Sequence, residues 1–441
     1  MKEIKGFKYV LVNFIKSESF GGVFLFICAL LAMVMANSPL SEQYFKLWNV
    51  DFGIKLSQSQ IFGLKIGNDG FIGLSLYHWI NDVLMSLFFL MVGLEIKREI
   101  LFGELSSLKQ ASFPILAAIG GMIVPGIIYI ALNLNTPSVD GFGIPMATDI
   151  AFALGVVMLL GKRIPMALKV FLVTLAVADD LGAIIIIATF YTAEISFYYL
   201  LVSLGFILVL IILNKLGVKN ISVYLLVGFG LWFCIHHSGI HATIAAVILA
   251  FCIPSGSNGN KQEFSRSLSE LADTFKVDPS IKMVASEQIK LLDSIKTYIH
   301  NKRSPLAVLE ERLHPLSAYF IMPLFAFANA GVNIQGEINL NIDYIFWGII
   351  LGLVVGKPLG IVLITFICEK FKITTRPNGI TWPQIIGAGM LAGIGFTMSI
   401  FVSNLAFDGQ NAVIVSKIAI LAASLISGII GTIYLIFATR K

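Results

Sequence analysis

Charge is scarce in this sequence. Only 13% of its 441 residues are charged, whereas a soluble protein carries about 25%. Hydrophobic residues make up 57% of the chain, and the mean hydropathy is +0.87. The few charges form no extended basic surface, so no nucleic-acid partner is expected. The composition excludes a soluble domain with a single anchor and indicates a polytopic membrane protein.

Metal-binding and nucleotide-binding patterns are also missing. The four cysteines lie within or at the ends of apolar runs and show no C-x-x-C spacing, so we interpret them as small core hydrophobes. The stretch GLVVGKP at residues 352–358 is no phosphate loop, because its glycine spacing is wrong and a proline follows Lys357. The sequence therefore predicts no cofactor and no nucleotide-driven step.

Long apolar runs recur from residue 20 to residue 437, and each can cross a bilayer as a helix of about 20 residues. The runs are continuous rather than alternating, which disfavours a β-barrel. We predict an all-α polytopic membrane protein with one membrane domain over residues 1–441. The twelve predicted spans are 20–37, 74–101, 111–133, 146–160, 166–190, 197–213, 221–235, 239–253, 315–333, 345–368, 383–404 and 412–437.

The distribution of lysine and arginine predicts the orientation of these spans. Of the 31 basic residues, 26 fall on the side of the two termini, and the opposite side has only Lys46, Lys55 and Lys65. Cytoplasmic loops carry the excess of basic residues. We therefore expect both termini in the cytoplasm and the chain in an inner-type membrane.

Two connections between spans are long. The outer loop, residues 38–73, contains the alternating stretches DFGIKL and IFGLKIG, which predict a small β-hairpin; an irregular loop is the alternative. The cytoplasmic loop, residues 254–314, opens with a polar stretch and then turns amphipathic, as in SEQIKLLDSIKTYI. We expect one or two surface helices there and not a second domain.

Two of the predicted spans are weak helices. Two glycines and a proline interrupt the approach to span four, at residues 141–145, and four glycines loosen the middle of span eleven, at residues 387–395. These spans are the central members of two triplets, spans 3–5 and 10–12, which cross the membrane in opposite directions. Interrupted segments at matching places of inverted repeats point to the ion site of a transporter.

Asp179 and Asp180 lie side by side in the middle of the apolar run FLVTLAVADDLGAIIIIATF. Ionised carboxylates in hydrocarbon are costly, so polar residues of this kind mark functional sites. Burial and mutual repulsion favour the protonated form of such a pair in acid, and release of the protons leaves hard oxygen ligands. With the Thr148 hydroxyl, the pair predicts a site that takes either protons or a small cation such as sodium.

Asp149 and Lys357 are the other charges near the interrupted spans. Where two helices break inside a membrane, the half-helix N-termini are positive and the C-termini negative. We expect the aspartate and the lysine to compensate these ends, and a plain Asp–Lys ion pair is the alternative.

Three other function classes share single features with this sequence. An intramembrane aspartyl protease takes its two aspartates from different helices, so the adjacent pair argues against it. His237 and His241 have an i, i+4 spacing, but no glutamate follows the first histidine as in a zinc protease. A cation channel is not excluded by composition.

Seven motifs in order resemble the NhaA-type sodium/proton antiporters over nearly the whole chain. This family implies twelve helices with crossed, unwound helices four and eleven, and electrogenic exchange of sodium or lithium for protons. The resemblance assigns Asp179 and Asp180 to ion and proton carriage, and Thr148, Asp149 and Lys357 to the crossing. The motifs are FLMVGLEIKRE, ATDIAFALG, VADDLGAI, SGIHATIAAV, LHPLSAYFIMPLFAFANAGV, GKPLGI and GIGFTMSIF.

The resemblance also implies a pH response and a homodimer. Glu95 and the stretch from Glu310 to His314 correspond to a cytoplasmic pH-responsive funnel, and the outer hairpin corresponds to the dimer contact. Glu311 stands where family members carry a histidine, which argues against pH sensing by histidine at that position. The implied role is pH and sodium homeostasis.

Overall fold

The computed structural model describes residues 18–55, 60–61, 64–65, 71–192, 195–256, 266, 293, 303–333 and 344–440. The helices of this part, numbered in chain order, are α1 (Glu18–Ala36), α2 (Ser41–Trp48), α3 (Leu76–Phe102), α4 (Leu108–Asn133), α5 (Ile150–Leu159), α6 (Met166–Phe190), α7 (Phe197–Lys215), α8 (Ile221–His236), α9 (Thr243–Cys252), α10 (Pro305–Leu316), α11 (Met322–Asn329), α12 (Tyr344–Lys370), α13 (Trp382–Ala392), α14 (Phe396–Ala406) and α15 (Gln410–Ala438).

Short stretches of other helix types join or interrupt these helices. Helix α3 contains a π-helical turn at Trp79–Leu84, and α12 contains one at Gly352–Gly356. A third π turn, Ser317–Ile321, connects α10 to α11, and a 3₁₀-helix, Val139–Met146, precedes α5. Since π turns are frequent at functional sites, the one directly before Lys357 draws attention to that residue.

Seven helical segments of the described chain are long and apolar enough to cross a membrane, and the number is nine if each of two bent pairs counts as one span. The bent pairs are α1 with α2, at 117°, and α13 with α14, at 47°. Helices α8 and α9 are apolar but shorter. The chain is a mostly helical, multi-pass membrane protein.

Most helix bounds lie within about four residues of the predicted spans, but the ninth differs and the eleventh is divided at residues 393–395. Helix α6 has the predicted limits of 166–190. The ninth was predicted at 315–333, but its helix begins at Pro305. The Ser304 hydroxyl accepts a hydrogen bond from the Ala307 amide and Pro305 fixes the first turn, so a helix N-terminus forms there. Most of the predicted surface helices in 254–314 lie outside the described residues.

The outer loop contains a small antiparallel sheet, as expected, with a different pairing. Strand β1 (Asp51–Lys55) pairs with β4 (Phe71–Ser75). The predicted partner, residues 61–67, contributes to a separate hairpin of β2 (Gln60–Ile61) with β3 (Leu64–Lys65). The pattern at 71–75 is also alternating, so alternation alone did not identify which stretch pairs with β1.

Helices α4 and α12 pack with their backbones in contact. A Cβ atom on Gly120 would lie 2.2 Å from the Gly360 carbonyl oxygen, and one on Gly360 would lie 2.0 Å from the Gly120 carbonyl oxygen. Only glycine permits such an approach, as at small-residue interfaces of membrane helices. Lys357 lies one turn before Gly360, so this contact fixes the lysine near the centre of the molecule.

Candidate ion-binding site

Two breaks in the helices meet at the centre of the molecule. In the first, residues 147–149 separate the 3₁₀-helix from α5, and in the second, residues 393–395 separate α13 from α14. The Asp149 amide donates to the Ile394 carbonyl oxygen at 2.7 Å. The Thr148 hydroxyl oxygen lies 3.0 Å from the Ala392 carbonyl oxygen, and its single hydrogen is shared between that oxygen and a carboxylate oxygen of Asp179. These bonds join the extended backbone of the first break to carbonyl oxygens at the end of α13 and in the second break.

Asp149 is fully buried and binds the N-termini of two helices. Its Oδ1 accepts the Phe152 amide of α5 at 2.9 Å, and its Oδ2 accepts the Thr397 amide of α14 at 3.1 Å. The Thr397 hydroxyl donates to the same Oδ2. A negative charge is favourable where the positive ends of two helices converge.

Lys357 is 1% exposed and makes two polar contacts at the same centre. Its ammonium donates to the carbonyl oxygen of Met146, the last residue of the 3₁₀-helix. It also forms an ion pair with Asp179 Oδ2 at 2.8 Å. Asp149 has its own partners, so the structure does not bring Asp149 and Lys357 together as an ion pair.

The carboxylate of Asp179 has two unequal oxygens. Oδ2 accepts hydrogen bonds from the Thr148 hydroxyl at 2.6 Å and from Lys357. Oδ1 is buried and has no hydrogen-bond partner within the described residues. Asp180 lies next to it and is 3% exposed. A buried carboxylate oxygen without a donor is costly, so this atom is suited to a proton or a cation.

A small cavity reaches this centre. It touches Thr148 and Ala392 and then follows α5 and α6, where its walls are apolar. The α6 residues that line it precede the two aspartates in the sequence and are Leu172, Val173, Leu175 and Ala176. The Thr148 side chain therefore lies between the Asp179 carboxylate and an apolar cavity.

The expected pH-responsive residues divide into two groups. Arg98 forms ion pairs with Glu310, with Glu99 at 2.9 Å and with Glu95 at 3.8 Å. Burial raises the pKa of the Glu310 carboxyl, against the opposing charge of Arg98. The structure thus joins Glu95 to Glu310 through Arg98.

The other two residues of this set are exposed. Glu311 points away from the Arg98 cluster and pairs with Arg303 on the surface. His314 is also exposed, near enough for its charge to act on Glu310. The surface position of Glu311 separates it from Glu310, its neighbour in sequence.

Sequence reasoning missed Thr397 and the pairing of Lys357 with Asp179. Thr397 lies in GIGFTMSIF, directly after the second break, as Thr148 lies in the first. A residue-by-residue comparison of the two breaks and the residues beside them would have identified a threonine hydroxyl at each. The ion pair had no local signal, because its partners are 178 positions apart.

Comparison with known proteins gives one consistent result. The family model described as Na+/H+ antiporter 1 matches residues 12–435. The Na(+)/H(+) antiporter NhaA of Helicobacter pylori is 61% identical, over 98% of this chain and 96% of its own length. The Na(+)/H(+) antiporter NhaA 2 of Helicobacter hepaticus is 57% identical over 97% of this chain and 95% of its own. The Na(+)/H(+) antiporter NhaA of Wolinella succinogenes is 53% identical, over 99% of this chain and 94% of the relative's length.

These matches agree with the buried carboxylates and the two contacting breaks. The family model and the relatives both cover nearly the whole chain, so the likeness is not confined to one motif. The chain belongs to the Na+/H+ antiporter 1 family.

Proposed function

We propose that this chain is a secondary antiporter that exchanges sodium or lithium for protons, and that it is a transporter rather than an enzyme. One observation carries the proposal: the buried Asp179 carboxylate binds Thr148 and Lys357 through one oxygen, while the other oxygen has no partner in the described chain. The printed names of the relatives describe the same exchange. Carboxylate and hydroxyl oxygens suit a small, hard cation.

In this proposal, protons and the cation compete for Asp179 and Asp180, with the Thr148 hydroxyl as a further ligand. A cation that binds Asp179 Oδ2 must also displace the Lys357 ammonium, because that oxygen already carries the ion pair. Exchange of more than one proton per sodium ion moves net charge, which is worth about 2.3 kcal/mol per charge at 100 mV. The scheme needs no resident cofactor.

Asp149 and Lys357 have complementary supporting roles. Asp149 stabilises the N-termini of α5 and α14, and Lys357 stabilises the C-terminal end of the 3₁₀-helix at Met146. We propose that the two breaks belong to crossing, interrupted helices four and eleven of an inverted repeat. The direct contacts of residues 147–149 with residues 392–394 support this arrangement.

The proposed topology has twelve spans, with both termini in the cytoplasm of a bacterial cell and the chain in the inner membrane. The excess of basic residues on one side supports it. We also propose a homodimer through the outer hairpin of β1 and β4, where an antiparallel ribbon can add strands from a second copy. The resulting role is sodium and pH homeostasis.

The pH response is assigned to the cytoplasmic side. Glu95 and Glu310, joined by Arg98, lie in a position to change the local field as they titrate. Glu311 and His314 are exposed and act more weakly through solvent. We propose that all four residues shift the pH dependence, while the carboxylates of the site create it.

The test is sodium-driven proton movement in proteoliposomes that contain a pH-sensitive dye. Addition of sodium outside should bring sodium in and protons out, so the interior should become more alkaline in proportion to the gradient, and reversal of the imposed pH gradient should reverse sodium flux. A cation channel would pass sodium without a coupled proton, and that result would overturn the proposal. Asp179→Asn is the control, because its vesicles should show only the passive leak.

A further inference from the structure

Phe401 of α14 is the centre of an aromatic cluster that we call the Phe401 seal. Its ring centroid lies 5.4 Å from Phe89 of α3, 6.3 Å from Phe325 of α11 and 5.3 Å from His241, in the segment before α9. The three phenylalanines are at most 1% exposed. The His241 ring is held by a 2.8 Å hydrogen bond with Thr243. These contacts join α14 to three segments outside the two breaks.

One turn further along α14, a pair of amides joins the same helices. Asn404 Nδ2 donates to Asn329 Oδ1 at 2.9 Å, and Asn329 Nδ2 donates to the Phe325 carbonyl oxygen at 3.1 Å. Asn329, the last residue of α11, is fully buried. The remaining oxygen of Asn404, Oδ1, is buried without a hydrogen-bond partner among the described residues. We call the two asparagines the Asn404–Asn329 latch.

The seal and the latch lie on the face of α14 that begins at the ion site. Thr397, Phe401 and Asn404 are four and three residues apart, a spacing that places side chains on one helix face. At 1.5 Å per residue, Asn404 lies about 10 Å further along the helix than Thr397. Thr397 binds Asp149 at the breaks. The three residues therefore lead from the site through the seal to the latch.

The cavity lies on the other side of the site. It follows residues 172–176 of α6, before Asp179, whereas the seal follows Thr397 on α14. Spans five and eleven run outward in the proposed topology, so the cavity lies on the cytoplasmic side of the site and the seal lies on the outer side. An exchanger must open its ion site to each side of the membrane in turn. Here aromatic side chains close the outer side.

We propose that the Phe401 seal and the Asn404–Asn329 latch are the outer gate, and that α14 must part from α3 and α11 each time a cation passes the outer side. This inference rests on the proposed exchange and its orientation.

The chemistry of these contacts suits a gate better than permanent packing. A net amide hydrogen bond is worth about 0.5–1.5 kcal/mol, and an aromatic pair is worth about 0.5–1.5 kcal/mol beyond its burial. A few such contacts exclude ions and still separate at modest cost. A permanent interface would gain more from apolar residues than from two asparagines, one of which leaves an oxygen without a donor.

A reversible cross-link across the latch tests the gate. In a background with the four native cysteines replaced by alanine, Asn329→Cys/Asn404→Cys is treated with a short bis-methanethiosulfonate, and intact mass gives the linked fraction. We expect sodium/proton exchange to fall at least tenfold in the linked protein and to return with dithiothreitol. Full exchange by the linked protein would overturn the gate, while exchange by the reduced protein tests the proposed function separately.

Matched controls exclude a general effect of the reagent. Each single-cysteine variant, treated in the same way, should keep its exchange. Ser403→Cys/Ser416→Cys links α14 to α15. The hydroxyl oxygens of Ser403 and Ser416 are 2.5 Å apart in the structure. Both of these helices lie on the same side of the gate, so their link should leave exchange within about twofold of the reduced protein. Equal inhibition by both links would contradict the proposal.

A labelling experiment decides the matter if the double variant does not fold. Phe401→Cys is exposed to a membrane-impermeant thiol reagent from the outside, with and without gradients that drive turnover. We expect labelling several-fold faster during turnover than in the same variant with Asp179→Asn, because only a cycling protein opens the seal. Labelling that is absent during turnover, or equal in both proteins, would show that position 401 never becomes open to the outside.

Discussion

At the scale of single residues, the two adjacent carboxylates of α6 have different surroundings. Asp179 is bound by Thr148 and Lys357, whereas Asp180 lies beside it under the same burial. Adjacent helical residues point about 100° apart, so the two side chains approach a cation from different directions. One carboxylate is therefore held in position by its partners, and the other adds a second charge.

Asp179→Asn and Asp180→Asn should each lower exchange to the passive leak, while the protein remains folded. Each substitution keeps the shape of the side chain and removes a charge that must alternate between proton and cation. Dye-monitored exchange in proteoliposomes measures the effect, and thermal melting measures folding. Normal turnover by either variant would rule out the competition mechanism.

Lys357→Ala should lower the melting temperature and raise the apparent KM for sodium. Loss of one partner from a buried ion pair costs about 3–5 kcal/mol, because the other charge remains buried and unpaired. Here the charge left behind is that of Asp179, and Met146 loses a donor as well. Lys417→Ala is the control, since Lys417 also lies in a predicted span but forms no ion pair with described residues. If both variants melted alike with unchanged kinetics, Lys357 would have no role in the site.

At the scale of elements, the structure depends on two breaks and on the helices that hold them together. Irregular backbone near them could be expected, because glycine and proline at 141–145 and 387–395 weaken helices. That two interrupted spans cross there remains our proposal. The limits of α6 could be predicted because a continuous apolar run has clear ends. The contacts of Thr148 with Ala392 and of Thr397 with Asp149 could not be predicted, because they join positions more than 240 residues apart.

Thr397→Val should weaken exchange without removing either carboxylate of the site. Valine has nearly the same shape but lacks the hydroxyl that donates to Asp149, and such a bond to a charged group is worth about 1.5–3 kcal/mol. We expect a lower melting temperature and a several-fold fall in exchange. Thr397→Ser should restore both, because it returns the donor. Failure of serine to restore exchange would mean that Thr397 acts by packing and not by positioning Asp149.

Gly360→Ala should destabilise the protein strongly for its size. The added Cβ would lie 2.0 Å from the Gly120 carbonyl oxygen, so α4 and α12 must separate, and overpacking of this kind costs about 1–3 kcal/mol. Gly205→Ala in α7 is the matched control, because no atom lies within 4 Å of its added Cβ. Thermal melting of both variants measures the difference. Equal stability would mean that α4 and α12 can move apart without loss.

At the scale of the whole molecule, the membrane class and the carboxylate pair followed from the sequence, because both arise from local composition. The cytoplasmic cluster did not follow, since Arg98 meets Glu310 only through the packing of α3 with α10. The pairing of β1 with β4 also escaped prediction, because several stretches of the loop alternate equally well. Contacts between distant segments, rather than the segments themselves, were what the sequence could not supply.

The pH dependence of exchange belongs to this scale, because it combines the site with the cytoplasmic cluster. If protons and sodium compete for Asp179 and Asp180, exchange falls in acid, where protons occupy the carboxylates. It also falls at high pH, where no proton returns on the opposite stroke. A bell-shaped profile results from the site alone.

Glu310 and Glu311 of the cytoplasmic side should shift this pH profile by unequal amounts. Burial raises the pKa of Glu310, so its charge is lost on acidification at a higher pH than that of an ordinary glutamate. Loss of that charge leaves Arg98 less neutralised, and the more positive field disfavours both protons and sodium at the carboxylates of the site. Glu310→Gln fixes this uncharged state at all pH values, so its optimum should shift to lower pH, by less than about one unit, with weaker sodium binding throughout. Glu311→Gln is the control: its carboxylate is exposed and pairs only with Arg303 in the described chain, so solvent screens its loss. Apparent sodium affinity from about pH 6 to pH 9 measures both variants. A profile that becomes flat in Glu310→Gln would show that a dedicated sensor, and not competition at the site, controls the exchange.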